Sequence, residues 1–343
     1  MSTDEKNRSQ NRVPIRQLPT GVLGLDEILG GGLPEYSFNI IAGAPGCGKT
    51  TLAHQIMFAN ATSERPAIYF TVLGEPAIKM LRYQQQYSFF DSASLGGAIR
   101  FINLSQVVLD ADLGAVLDAI IQEVEASNPS IVVVDSFRTV MRKAQGSTTT
   151  EVDLQGFIQR LALHLTSWQA TTFLIGEYVE GEIRDNPVFT VADGLFWLNQ
   201  SVERNSIVRK LQVMKLRGQE SVPGLHTFRI TDNGLQAFPR TFGLSGSHSS
   251  QIKGKRRLST GVAKLDTLMG GGVPEGDSLL LAGPSGAGKT VLGIQFIAEG
   301  LRLGEPSIVA MFEELPNEFM QRAASLASTS TSTSKTARSS SFT

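Results

Sequence analysis

A chain of 343 residues, 41% apolar and 18% charged, has the length for two domains and the composition of a soluble globular protein. Its 31 basic and 32 acidic side chains leave a net charge of −1, which argues against a surface that tracks nucleic acid throughout. One cysteine excludes an intrachain disulfide and suits a reducing cytosol, and no run approaches the ~18 apolar residues of a membrane span, so a cytoplasmic protein without a membrane partner is expected.

Residues 1–13 are polar, mixed in charge and read as a disordered leader. From residue 14 the chain alternates short apolar runs with longer amphipathic ones. "FNIIAG" predicts a strand, "KTTLAHQIMFANAT" a helix, "AIYFTV" a strand and "PAIKMLRYQQQYS" a helix. "IRFINL", "SIVVVDS" and "TTFLIGEY" predict three more strands, separated by the helices "LGAVLDAIIQEVEASN" and "EVDLQGFIQRLALHLTSWQ". Continuous apolar strands separated by helices predict an α/β fold, a mostly parallel sheet with helices on both faces. After about residue 195 the rhythm changes to "GLFWLNQ", "IVRKLQVMKLRG" and "HTFRITDNGLQAF", consecutive strands that extend the sheet antiparallel. This first domain spans 14–242, and a linker follows over 243–257.

The chain then begins again. Thr20–Thr51 and Thr260–Val291 align without a gap, 240 residues apart, with about half their positions identical. The second copy, 258–325, predicts an apolar strand, a phosphate loop, the helix "TVLGIQFIAEGLRLG" and a further strand "SIVAMFEE". It holds no counterpart of the fourth and fifth strands or of the antiparallel extension, and reads as an interrupted duplication, a truncated or frame-shifted product or a gene remnant. Residues 326–343 are Ser/Thr-rich with almost nothing to bury and read as a disordered tail.

Both copies carry G-x-x-x-x-G-K-[ST] between an apolar strand and a helix. In the first, Gly43, Ala44, Pro45, Gly46, Cys47, Gly48, Lys49, Thr50 and Thr51 form the loop; in the second, Gly283, Gly286, Gly288, Lys289 and Thr290 are its fixed points. Glycines let consecutive backbone N–H groups turn inward on phosphate oxygens, and the helix N-terminus adds partial positive charge. Lys49 is placed to reach the β- and γ-phosphates of ATP, and the Thr50 hydroxyl to ligate Mg²⁺. Asp135, ending the β-branched run "IVVVD", is the Walker B aspartate that completes the magnesium site. The second loop is not expected to bind nucleotide productively, since its half-sheet leaves apolar edges unpaired.

Hydrolysis needs a carboxylate that polarises water. Glu75, after the second strand, is the candidate in the first copy, with a structural or sensor role as the alternative. In the second copy Glu313 and Glu314 stand where the first has Leu73 and Gly74.

With "PTGVLGLDEILGGGLP" leading into the loop, "VVVDS", "KLRG" at Lys215–Gly218 and "FRITDNGLQAFP" closing the domain, the chain resembles the KaiC-like branch of the RecA superfamily of ATPases. The resemblance covers residues 14 to 240 and again 258 to about 320. It implies a homo-oligomer, a hexameric ring with ATP between subunits, in which Lys215 and Arg217 reach the γ-phosphate held by the neighbouring subunit. It implies also that Ile230–Gly234 lies near a neighbouring base and ribose. The strand alternation Lys-Leu-Arg itself turns both cations to one face. The family's paired glutamates are replaced here by "LGE", which predicts a slow ATPase, acting by conformation on a regulatory protein partner. A Ser/Thr autokinase, a RecA-like DNA-binding motor and a module that holds ATP without turnover are the rival readings, the motor disfavoured by the charge.

Other features read blandly. Cys47 is filler within its loop, with a redox switch as the alternative. "KGKRR" at 253–257 is a solvated linker rather than a contact to nucleic acid. Tyr83–Asp91 supplies core or subunit contacts, and the four histidines lack metal-ligand spacing.

Overall fold

The computed structural model describes residues 15–72, 77–110, 113–140, 151–167, 169–183, 186–240, 256–312 and 314–330. They fall into two units, Met1–Ser245 and Gly246–Thr343, and each is described by itself.

In the first unit β1 (Gln17–Leu18) and β2 (Leu33–Pro34) form a short antiparallel ribbon. The main sheet is built from β3 (Phe38–Gly43), β4 (Ala67–Thr71), β5 (Ile99–Asn103), β6 (Ile131–Asp135), β7 (Thr171–Glu177), β8 (Gly194–Glu203), β9 (Ser206–Leu216), β10 (Leu225–Thr231) and β11 (Gly234–Phe238). Their order is β11-β10-β9-β8-β3-β7-β6-β4-β5. The six strands from β8 to β5 run parallel, and β9, β10 and β11 extend the sheet antiparallel, as the change of rhythm near residue 195 predicts.

Every second residue of the parallel strands belongs to the same core. Ile40, Ile68, Phe70, Val132, Val134 and Leu174 pack under the helices Leu113–Ser127 and Glu151–Ser167. Their neighbours Ile41, Tyr69, Ile131, Val133, Phe173 and Ile175 pack under the helix Lys49–Asn60. Side chains alternate across a pleated strand, so a strand covered on both faces must be apolar throughout, which is why these runs show no polar alternation.

Topology makes the site. The chain leaves β3 and crosses to β4, three places away, and β6 and β7 later fill the gap. Helices leaving β3 and the inner strands therefore diverge, and a crevice opens at the carboxyl ends of β3, β6 and β7.

The second unit repeats the main bonds of the lead-in. Thr20 N donates to Asp26 Oδ1 at 2.9 Å and Thr260 N to Asp266 Oδ1 at 2.8 Å. Gly31 N and Gly271 N close the same turn onto Asp26 O and Asp266 O, both at 2.7 Å. β12 (Arg257–Leu258) pairs with β13 (Val273–Pro274) in the register of β1 with β2. Arg257 donates to the Met269 and Gly272 carbonyls and Arg256 pairs with Glu305, so these two residues of the basic stretch serve their own unit.

The strands expected on either side of the helix Lys289–Arg302 do not form: 277–284 and 305–311 belong to no helix or strand. Leu280, Ile308 and Phe312 stand 87%, 91% and 96% exposed. Their counterparts in the first unit are β3 and β4, which never touch, because β7 and β6 lie between them. The described residues of the second unit offer no equivalent of those two, so neither segment joins a sheet ladder there. The helix Pro316–Ser330 also runs five residues into the stretch expected to be disordered, carried across its start by Ala-Ala-Ser-Leu-Ala at 323–327, three alanines and a leucine that favour helix. Residues 1–14, 241–255 and 331–343 lie outside the described residues, and with them the leader, most of the linker and most of the tail.

Candidate functional site

The loop between β3 and the helix Lys49–Asn60 turns through Gly43, Gly46 and Gly48, with φ of 144°, 73° and 100°. At Gly43 a Cβ would run into the Leu198 carbonyl of the neighbouring β8; at Gly48 it would sit 2.6 Å from Ile230 Cδ1. Glycine is therefore required at both, first by close strand approach and then by the hairpin that lies over the loop.

A cleft of about 670 Å³ opens there, lined by Gly46, Gly48, Lys49, Thr50, Thr51 and Asp135 among others. Lys49 is buried, and its ammonium donates to the carbonyls of Gly43 at 2.9 Å and Ala44 at 2.7 Å. Thr50 Oγ1 donates to Asp135 Oδ2 at 2.8 Å, and the Tyr69 hydroxyl reaches the same oxygen at 2.5 Å. Burial pushes the Asp135 carboxyl above its ordinary range; the hydrogen bonds from Tyr69 and Thr50 and the charge of Lys49 pull it back, while Glu177 adds to the rise. Cys47 is fully buried beside Lys49, and burial raises its thiol, so it behaves as packing and not as a reactive thiolate.

These residues fit magnesium. A threonine hydroxyl and a carboxylate are hard oxygen donors, they already meet at hydrogen-bond distance, and a partly buried carboxylate is stabilised by a divalent cation. Among the described residues no group of three or more His, Cys, Asp or Glu could hold a metal by itself.

Of the other expected residues, Lys215 and Arg217 lie elsewhere. They stand at the far end of the sheet, level with the start of β3, where Lys215 donates to the Thr190 carbonyl at 3.0 Å and Arg217 pairs with Asp193 at 3.0 Å. Neither lines the cleft. Ile230 does, and the turn after it is tied down by Ser88, which donates to Asp232 O at 2.8 Å through its backbone and to Asn233 Oδ1 at 3.1 Å through its hydroxyl. Ile230–Gly234 thus sits against its own loop. Tyr87 lines the cleft, while Phe89 and Phe90 pack on Phe58 of the helix Lys49–Asn60. Glu75 and Glu313 lie outside the described residues; Glu314 pairs with Arg322.

The second loop closes in the same way, Lys289 donating to Gly283 O and Pro284 O at 2.8 Å, yet Gly283, Gly286, Gly288 and Thr290 are exposed. No described residue stands to Thr290 as Asp135 does to Thr50.

Sequence reading missed Tyr69, Arg138, Glu177 and Arg209, all of which line the cleft. Glu177 ends β7 directly beside Gly43, and Arg138 holds that corner through a two-pronged pair with Glu182 at 2.7 and 2.8 Å. Glu177 was findable, as an acidic residue closing an apolar strand like Asp135.

A family model described as "ATPase: KaiC" matches residues 18–241 and 258–337. The circadian clock oscillator protein KaiC of Picosynechococcus is 29% identical over 322 residues, which cover 91% of this chain and 61% of that protein. KaiC 1 of Synechocystis is 29% identical over 336 residues, covering 94% and 63%. The chain thus spans about three-fifths of the length of these relatives. The crystal structure of the KaiC-like protein PH0186 from Pyrococcus horikoshii superposes with a TM-score of 0.57 at 24% identity, over 66% of this chain and all of that one, a likeness of fold.

Proposed function

The chain belongs to the KaiC ATPase family, and on that premise we propose that its first unit binds Mg-ATP and hydrolyses it slowly, as part of a homo-oligomer that signals by conformation. The observation that carries this reading is the meeting of Lys49, Thr50 and Asp135 around one cleft at the carboxyl ends of β3 and β6. Lys49 turns from the Gly43 and Ala44 carbonyls onto the β- and γ-phosphates, and the loop N–H groups cradle them. Thr50 and Asp135 would hold the magnesium ion, which when bound would supply positive charge against that developing on the phosphate oxygens. Glu75 or Glu177 orients the attacking water; the acidic pair that the second copy carries at Glu313 and Glu314 is absent at 73–74, which supports a slow rate.

Lys215 and Arg217 face away from the cleft of their own chain, so they serve a nucleotide only by lending charge to a neighbouring subunit. This supports nucleotide at subunit interfaces in a ring, hexameric by family resemblance. The second unit, without a counterpart of Asp135 among its described residues, holds no productive nucleotide.

Size-exclusion chromatography with light scattering, with and without Mg-ATP, tests the reading. Wild type and Lys289→Ala are expected to assemble with nucleotide and Lys49→Ala to stay dispersed. Assembly lost only in Lys289→Ala reverses the roles of the two loops.

A further inference from the structure

Tyr69 lies in the middle of β4, with 0% of its surface exposed. β4 pairs with β6 so that Tyr69 is opposite Val133 and Thr71 opposite Asp135. Asp135 is therefore the diagonal neighbour of Tyr69 on one face of the sheet, within reach of a long aromatic side chain. The Tyr69 ring packs in a cluster with His54, at 4.6 Å between centroids, and Phe101, at 5.3 Å, which also touch each other at 5.8 Å. Ring packing fixes where the hydroxyl goes, and it goes to Asp135 Oδ2 at 2.5 Å.

A phenylalanine would fill this space without carrying a hydroxyl into an apolar core, where an unpartnered polar group costs stability. Packing alone does not call for the oxygen. What the oxygen does is add a second donor to Asp135, from a rigid ring on the next strand, beside the mobile hydroxyl of Thr50. Both donors take Oδ2, so the carboxylate is pinned at one oxygen and keeps the other for the cleft it lines.

We infer that Tyr69 is a positioning residue for the metal-holding carboxylate: its phenol sets Asp135 beside Thr50 in advance, so that Mg-ATP meets an arranged pair of oxygens. The inference rests on the Mg-ATP reading of the first unit. Partners that orient a metal-holding carboxylate commonly change metal affinity when removed.

The test is calorimetric titration of ATP into wild type, Tyr69→Phe, Asp135→Asn and the double variant, at graded Mg²⁺ and in EDTA. Tyr69→Phe is expected to raise the Mg²⁺ concentration for half-maximal tight binding roughly tenfold, while metal-free ATP binding and the melting temperature of the nucleotide-free protein stay near wild type. In the Asp135→Asn background the same change is expected to add nothing. An unchanged Mg²⁺ midpoint overturns the inference, as does an equal loss in both backgrounds. Loss of fold, or an equal loss of metal-free binding, also overturns it, since the hydroxyl would then support the core and not the metal site. Wild type that binds no ATP at any Mg²⁺ concentration defeats the nucleotide reading itself, a result separate from all of these.

Discussion

Gly43 and His54 frame the first loop from two sides. Gly43 holds a φ of 144° with the Leu198 carbonyl where a Cβ would go, so Gly43→Ala is expected to cost about 2–4 kcal/mol in urea unfolding. A cost under ~0.5 kcal/mol would mean the strand contact is not tight. His54 is wholly buried against Tyr69 and Phe101, and burial lowers its pKa from 6.5 to about 4, the Gln84 side chain opposing the shift. The unfolded chain takes up a proton here below pH 6.5 that the folded chain refuses until about pH 4. Stability from this residue is therefore complete above 6.5 and declines as pH falls, by about 2 kcal/mol between pH 7 and pH 5. Asp135, raised by burial, acts with the opposite sign, its contribution falling as pH rises through its folded pKa, so the comparison must be made against a variant. His54→Leu should show a shallower acid loss of stability than wild type; an identical slope would refute the assignment.

Elements with the same sequence signal met different fates in the two units. "FNIIAG" and its counterpart at 278–283 both read as strands, yet only the first finds neighbours on each side. Amide hydrogen exchange should be slow over 38–43, 67–71 and 131–135 and close to that of open chain over 277–284 and 305–311. Protection in the latter pair would show that they are sheltered by a partner strand. The lead-in ribbon and the loop-closing lysine behave differently, because both are local: Asp26 and Asp266 tie a turn six residues away, and Lys49 and Lys289 reach carbonyls five or six residues back. That locality explains what was legible. Apolar runs, the loop and Asp135 could be read because each is specified within a few residues. The order of strands could not, and with it went the failure of the second sheet, the diagonal meeting of Tyr69 with Asp135 and the approach of Glu177 to Gly43.

At the scale of the whole molecule, the question is how cations at one end of the sheet serve phosphates bound at the other. In the proposed function a neighbouring subunit answers it. Lys215→Ala and Arg217→Ala should leave the Kd for ATP within a few-fold of wild type while lowering hydrolysis by roughly 10³-fold. Lys49→Ala mixed with Arg217→Ala should recover part of the lost rate, because an intact cleft from one chain then meets intact cations from another. Strictly additive mixing, or a rate lost together with binding, would return Lys215 and Arg217 to a role within their own fold. Bursts of assembly with nucleotide would then need another source of cohesion.

Isothermal titration of Mg-ATP into wild type, Lys49→Ala and Lys289→Ala bears most directly on the front cleft. The expected result is one site per chain in wild type, kept in Lys289→Ala and gone in Lys49→Ala with its fold intact. Heat that survives Lys49→Ala, or that disappears only in Lys289→Ala, would contradict a nucleotide held by Lys49, Thr50 and Asp135.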